Sequence, residues 1–509
     1  MAAVAADPTA QQCQDTILAK EHELVQRIKL QTGGTSLRKF TSLLEKRETT
    51  GNLLHNDKAN ITQRFIPRLF RAYVSKCSRR VYGGFFSPDG TLFCSSEQDD
   101  AVNIFQTDGC LNSWKRIKSI SCRNVNWTVT DMNLSPNQSL LAFTSITSLV
   151  QLVGIAPDSS FYQCVSLSST ENERFGLWSV RFSPDGSQLL AGSAANTILL
   201  YDLARQVLLE KLSFHVDDVN AVSFLDDTGN VFVSGSDDSF CLLWDRRVEG
   251  KHGPVGVFAG HLDGITYICP HSEGCYFISN SKDQTIKLWD TRKIVATEDW
   301  EHLLSMRQPR RVWDYRWMEY PRPVLVGRVN DKDTSLRTFV GHQTLKTLIR
   351  CRFSPLATTG QRYVYCGSHD GAIYIYDIIQ NVLLTRLPGH KAVVRDVDWH
   401  PYLPAIVSSS WDGTTALWSS HSWHTSVWRE NDEDSLVSDT SEYSSEEDTT
   451  STTHSSDEET SEYSSEEEAS EEDDSEYSSE EEASDEEDDD ESEEKDSDYS
   501  EDERWNKRL

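Results

Sequence analysis

At 509 residues the chain can bury a large core, and its net charge of −32 is unevenly placed. Residues 431–509 hold 37 acidic and 4 basic residues, which leaves 44 acidic against 45 basic ahead of them. A nearly neutral body without clustered Lys and Arg argues against nucleic-acid binding, and eleven single cysteines without a C-x-x-C pair argue against a zinc site or a disulfide framework. No apolar run approaches the ~20 residues that span a bilayer, so no membrane partner is expected. The opening MAAVAADPTAQQ has Asp7 and no basic segment, unlike a signal peptide, so a reducing compartment, nucleus and/or cytoplasm, is expected.

In chain order, residues 15–30 place Ile17, Leu18, Leu24, Val25 and Ile28 near one stripe, which predicts an amphipathic helix. Thr35 or Ser36 can cap a second helix, with Leu37, Phe40, Leu43 and Leu44 at helical spacing. This N-terminal arm, 1–62, either packs on the body or docks into a partner's groove.

A repeat begins next. Residues 63–74 (QRFIPRLFRAYV) can supply an outer strand. Units follow at Val81–Phe105, Asn126–Val153, Leu177–Asp202, Phe214–Asp245, Gly260–Asp290, Gly341–Asp377 and Gly389–Trp418. His215 to His261 is 46 residues and Trp244 to Trp289 is 45, a period that decides the fold. Each unit reads as alternating strands separated by turn residues, including SPDG and SPNQ after the first strand. The pattern resembles the WD40 repeat. It implies an all-β, seven-bladed WD40 β-propeller over 63–420, closed into a ring without free sheet edges.

In a complete unit, the WD40 resemblance implies a buried hydrogen-bond chain through His261, Ser279, Asp283 and Trp289. The set recurs along the chain, so it is scaffold rather than a catalytic triad. No enzyme activity, catalytic residue, cofactor or metal is expected. The second unit has Thr147 and the third Ala195 where the turn aspartate belongs, which predicts blades held mainly by apolar packing.

An insert over about 293–334 interrupts the array and contains QPRRVWDYRW, Gln308–Trp317, rich in the Arg and Trp favoured at binding hot spots. The tail, 421–509, repeats SEYSSEE at Ser441, Ser461 and Ser475; it has too little apolar content and too much like charge to fold.

The fourth unit ends CLLWDRR and the fifth IKLWDTR, each with Arg two positions after the WD aspartate. This tandem resembles the WDxR box of substrate receptors for cullin-four RING ubiquitin ligases. The resemblance implies that Arg247 and Arg292 contact the adaptor, damage-specific DNA-binding protein one, while Asp245 and Asp290 orient them. Cullin-four and the RING subunit would be recruited indirectly. The series HVDDVNAVSF, GHLDGITYI, VWDYRW, TLIRCRFSP and VVRDVDWHP, in that order, is similar to the eleventh type of DDB-and-cullin-associated factor, from about Ile28 to Trp418. The acidic tail departs from that type. Family habit places substrate on the opposite face, on Tyr82, Trp178, Lys282, Arg350, His369, Arg395 and Trp411. Lys282 and the Arg350–Arg395 pair would favour an acidic or phosphorylated segment. The expected function is a non-catalytic receptor that presents a substrate protein for ubiquitination. The alternative is a WD40 scaffold, or a histone- or ribosome-assembly chaperone, whose tail holds basic partners.

Overall fold

The computed structural model describes Glu48 and residues 62–420, except 99–100, 108–110, 112–113, 124, 126, 170–172, 249–252, 307–312 and 321–332. Apart from Glu48, which is helical and ends the second of them, the two expected N-terminal helices lie outside the described residues, as does the acidic tail. Seven separate four-stranded antiparallel sheets form the body, the seven expected blades.

The inner strands are Val81–Phe86, Val129–Leu134, Leu177–Phe182, Val219–Phe224, Ile265–Pro270, Cys351–Phe353 and Val394–Trp399, and each contacts the next around a closed cycle. They are buried almost throughout because neighbouring blades cover them. Core clusters accordingly run between blades. One joins Ile278, Ile286 and Leu288 of the fifth blade to Val364, Cys366 and Tyr376 of the sixth. The ring closes on the chain's own beginning: Leu69–Lys76 pairs antiparallel with Thr414–Ser419, from Leu69 opposite Ser419 to Lys76 opposite Thr414. This is the outer strand expected of residues 63–74, starting six residues later.

The SPDG turns explain why the first two strands of a blade meet so tightly. In the third blade Ser183 Oγ donates to Asp185 Oδ1 and accepts from the Gln188 N–H at 2.9 Å, while Gly186 takes φ +75°. Gly90 holds the same place in the first blade at φ +74°, and a Cβ there would sit 2.5 Å from the His400 ring of the seventh.

Complete hydrogen-bond chains occur in three blades. In the fifth, His261 Nδ1 lies 2.9 Å from Asp283 Oδ2, His261 Nε2 lies 2.7 Å from Ser279 Oγ, and Trp289 Nε1 donates to the same Oγ at 2.7 Å. His215, Ser234, Asp238 and Trp244 repeat it, as do His390, Ser408, Asp412 and Trp418. The sixth blade departs from it. His342 Nε2 reaches across to Asn280 Oδ1 of the fifth at 2.9 Å, and Nδ1 sits 3.1 Å from the Tyr376 hydroxyl. Burial holds that imidazole down at about 4, so it is neutral. The second and third blades keep small hydroxyl pairs instead, Ser145–Thr147 at 3.0 Å and Ser193–Thr197 at 2.8 Å.

Burial pushes the Asp283 carboxyl up, but His261 and hydrogen bonds from Leu262 N–H and Thr285 outweigh it and hold it at about 2. A carboxyl lowered on folding stabilises above its unfolded value of ~3.9 and loses that contribution as pH falls toward about 2. The Asp283→Asn variant is therefore expected to be less stable at pH 7, by ~1–3 kcal/mol, and to lose less stability than wild type between pH 5 and pH 3 in denaturant titrations.

Candidate functional site

Antiparallel pairing sorts the ring's residues between two faces. The start of each inner strand and the end of the second lie on one, the upper face, as Leu177 opposite Ser193 shows. The start of the second strand and the end of the third lie on the other, the lower face, as Gln188 opposite Asp202 shows.

Arg247 and Arg292 follow the third strands of two adjacent blades, Cys241–Asp245 and Thr285–Asp290, and so stand on the lower face. Each is clamped by its own aspartate in the same way. Arg247 donates from its backbone N–H and Nε to Asp245 Oδ1 at 3.0 and 2.9 Å, and from Nη2 to Oδ2 at 2.7 Å. Arg292 repeats this on Asp290 at 3.0, 2.9 and 3.1 Å, and its Nη2 also donates to the Tyr276 hydroxyl at 2.8 Å. The side chains nevertheless remain 61% and 52% exposed. A short chelate fixes the guanidinium plane, so little rotamer entropy remains to be lost on docking.

On the upper face the predicted residues divide into four groups, one of them the buried channel pair Arg350 and Arg395. Trp178 Nε1 donates to Asp218 Oδ2 at 3.2 Å. Tyr82 and Trp411 pack at 5.6 Å between centroids, and Tyr82 meets Trp127 at 5.7 Å. Lys282 and His369 face the insert, at Tyr315 and Glu319 respectively.

In its described parts the insert is docked on the propeller. It leaves the lower face after Asp290 and adds Val295 to the edge of the fourth blade opposite Val257. The helix Trp300–Met306 then packs Trp300 against Phe214 and Phe240 at 4.8 and 5.2 Å, with Leu303 in the core. Trp313–Trp317 crosses the upper face. There the Tyr315 carbonyl accepts the Lys346 N–H at 2.8 Å, and the Tyr315 ring receives Lys282 Nζ 4.0 Å from its centroid. Lys282 also pairs with Asp237 at 2.7 Å and is buried. The expectation of an exposed Lys282 that reads an acidic segment is thereby corrected: carboxylate and tyrosine have taken its charge. Sequence reading also missed that WDYR within the insert spells another WDxR. Arg316 chelates Asp314 as Arg247 does Asp245, with the backbone N–H and Nε on Oδ1 at 2.9 and 3.0 Å and Nη2 on Oδ2 at 2.7 Å. Trp317 beside it is 68% exposed.

The Arg350–Arg395 pair likewise lies inside the channel, 5% and 4% exposed, not on an open rim. Arg350 spans the channel, with Nη2 on Asp131 Oδ1 at 2.7 Å in the second blade and Nη1 on Asp396 Oδ2 at 3.0 Å in the seventh. Arg181 joins Asp131 at 2.5 Å, and Arg352 joins Asp396 and Asp398 at 3.0 and 2.6 Å. Burial pushes Asp131 up, but Arg181 and Arg350 outweigh it and hold the carboxyl below its ordinary value. Arg350 is thus a staple between opposite blades, and its expected reading of an acidic ligand is corrected accordingly.

The WD domain, G-beta repeat pattern matches residues 164–202, 206–245, 252–290 and 381–419. Each match begins at or near the outer strand of one blade and ends with the third strand of the next. The chain is 40% identical over 379 residues to the LEC14B protein of Lithospermum erythrorhizon, covering 72% of this chain and 78% of that one. It is 33% identical over 384 residues to a DDB1- and CUL4-associated factor 11 homolog of Caenorhabditis elegans, covering 70% and 65%. The chain belongs to this WD40 family. Within the family fold, the blades that the repeat pattern does not mark include the sixth, where Tyr376 replaces the tryptophan and the insert precedes the outer strand of the fifth.

Two outcomes follow for variants of this family member. Arg350→Met leaves Asp131 with Arg181 and Asp396 with Arg352 but removes the link between them, and is expected to cost ~1–3 kcal/mol in denaturant unfolding. Tyr315→Ala removes the ring over Lys282, and is expected to speed tryptic cleavage after Arg316 while costing ~1–3 kcal/mol.

Proposed function

We propose that this protein is a non-catalytic substrate receptor of a cullin-four RING ubiquitin ligase, docking its adaptor through Arg247 and Arg292. The carrying observation is the pair of identical aspartate-clamped, solvent-facing guanidinium groups on adjacent blades of one face. The names of the factor 11 homologues, which describe association with DDB1 and CUL4, point the same way. A planar fork already held by carboxylate offers its outer N–H groups to an acceptor on a partner, a geometry lysine cannot reproduce. Substrate would be held on the upper face, and the rate gain would come from proximity to the ubiquitin-carrying enzyme rather than from chemistry on the propeller.

In affinity purification of the full chain, Arg247→Ala with Arg292→Ala is expected to lower adaptor and cullin recovery at least ~10-fold, the loss of charge-assisted contacts at an interface centre. Thermal unfolding should change little, because both side chains are exposed. Undiminished recovery from a folded double variant would remove the assignment.

A further inference from the structure

The two clamped arginines of the lower face share a chelate but not all their partners. Arg247 keeps its Nη2 on Asp245 Oδ2 at 2.7 Å. Arg292 reaches Asp290 Oδ2 at 3.1 Å and gives the same Nη2 to the Tyr276 hydroxyl at 2.8 Å. The difference comes from the strand alongside. In the fifth blade Tyr276 stands opposite Asp290; in the fourth, Val231, which has no hydroxyl, stands opposite Asp245. The Asp290 side chain is 2% exposed and that of Asp245 21%, so water competes for the Arg247 clamp more than for that of Arg292.

Tyr276 is a fixed post. It is buried in the cluster that joins the fifth and sixth blades, with Ile278, Leu288 and Phe353, and its ring meets His271 edge-on at 6.0 Å. Burial holds the His271 imidazole down at about 4, so that neighbour is neutral and does not repel Arg292. The Arg292 guanidinium carbon lies 5.5 Å from the Tyr276 ring centroid, within reach of a cation–π attraction that adds to the hydroxyl's hold. Turning a guanidinium about its Nε–Cζ bond breaks whatever its Nη2 donates to. For Arg247 that is a partly exposed carboxylate. For Arg292 it is a buried carboxylate and the hydroxyl of a buried tyrosine.

We propose that Tyr276 is a positioning residue for adaptor docking, which makes Arg292 the rigid anchor of the pair and leaves Arg247 the adjustable one. The inference rests on the lower face being the adaptor-docking one. A donor whose orientation is already settled loses less freedom on binding. Arg292 therefore contributes more to affinity than Arg247, although the two chelates follow one pattern.

Two readouts on the full chain test this. Without adaptor, the turning of each guanidinium about its Nε–Cζ bond is followed by NMR of arginine-labelled protein. Arg292 is expected to turn ~10-fold more slowly than Arg247, the difference one hydrogen bond makes, and Tyr276→Phe to bring the two within ~2-fold. Equal rates in wild type, or a difference that survives in Tyr276→Phe, overturns the inference whatever the adaptor does. With purified adaptor, Tyr276→Phe is expected to raise the dissociation constant ~5-fold in wild type and in Arg247→Ala, and less than ~2-fold in Arg292→Ala. A merely structural role would weaken all three backgrounds alike, and that result also overturns it. Tyr276→Phe keeps the ring and its packing and removes only the hydroxyl, so the variant folds with the wild-type core. Undiminished binding by Arg247→Ala with Arg292→Ala overturns the docking reading and with it this use of Tyr276. The NMR difference, read without adaptor, then decides separately whether Tyr276 holds Arg292.

Discussion

Everything in this molecule depends on ring closure. Each blade buries both faces of its sheet only because another blade stands on either side, and the last blade is completed by Leu69–Lys76, about 340 positions earlier than its partner strand. That single antiparallel pairing converts seven marginal sheets into one continuous core and removes the free edges. It also fixes which turns share a face. The two WDxR arginines come together on the lower face because they occupy equivalent positions in consecutive blades, not because they are close in sequence.

Closure creates a second constraint, a narrow channel whose inner strands must place something there. This chain fills it with arginine and aspartate. Buried ion pairs seldom add net stability over apolar packing, but removing one partner is costly. The channel network therefore acts as a set of registry contacts between adjacent blades and, through Arg350–Asp131 and Arg181–Tyr267, across the ring. Arg350 connects the sixth blade to the second and the seventh, and Arg181 reaches the Tyr267 hydroxyl of the fifth at 2.9 Å. An arginine in such a ring is structural or ligand-reading according to whether a carboxylate already meets it. By that criterion Arg350 and Arg352 belong to the scaffold.

Much of this was legible in the sequence because repeats report themselves. The period near 45 residues, the SPDG turns and the His–Ser–Asp–Trp spacing set the blade count, and a last blade short of an outer strand pointed to QRFIPRLFRAYV as the segment that could supply it. Pairwise meeting across the ring was not legible. Nothing near Arg350 announces Asp131, which is 219 positions away. Nothing in SKDQT reveals that Tyr315, from the insert, will cover Lys282. The sixth blade lost its repeat signature because Cys366 and Tyr376 stand where the serine and tryptophan belong, and His342 bonds instead to the neighbouring blade's Asn280 and to the Tyr376 hydroxyl. The chelate at Asp314–Arg316 was spelled in the sequence, but its likeness to Asp245–Arg247 became visible only in the geometry.

The most direct measurement of the central claim is hydrogen–deuterium exchange of the full chain with and without the cullin-four ligase adaptor. The account predicts slowed exchange in the lower-face turns around 245–248 and 290–293, with the upper-face segments 80–82 and 411–413 unchanged. Protection confined to the upper face, or none at either pair of turns in a formed complex, would contradict it.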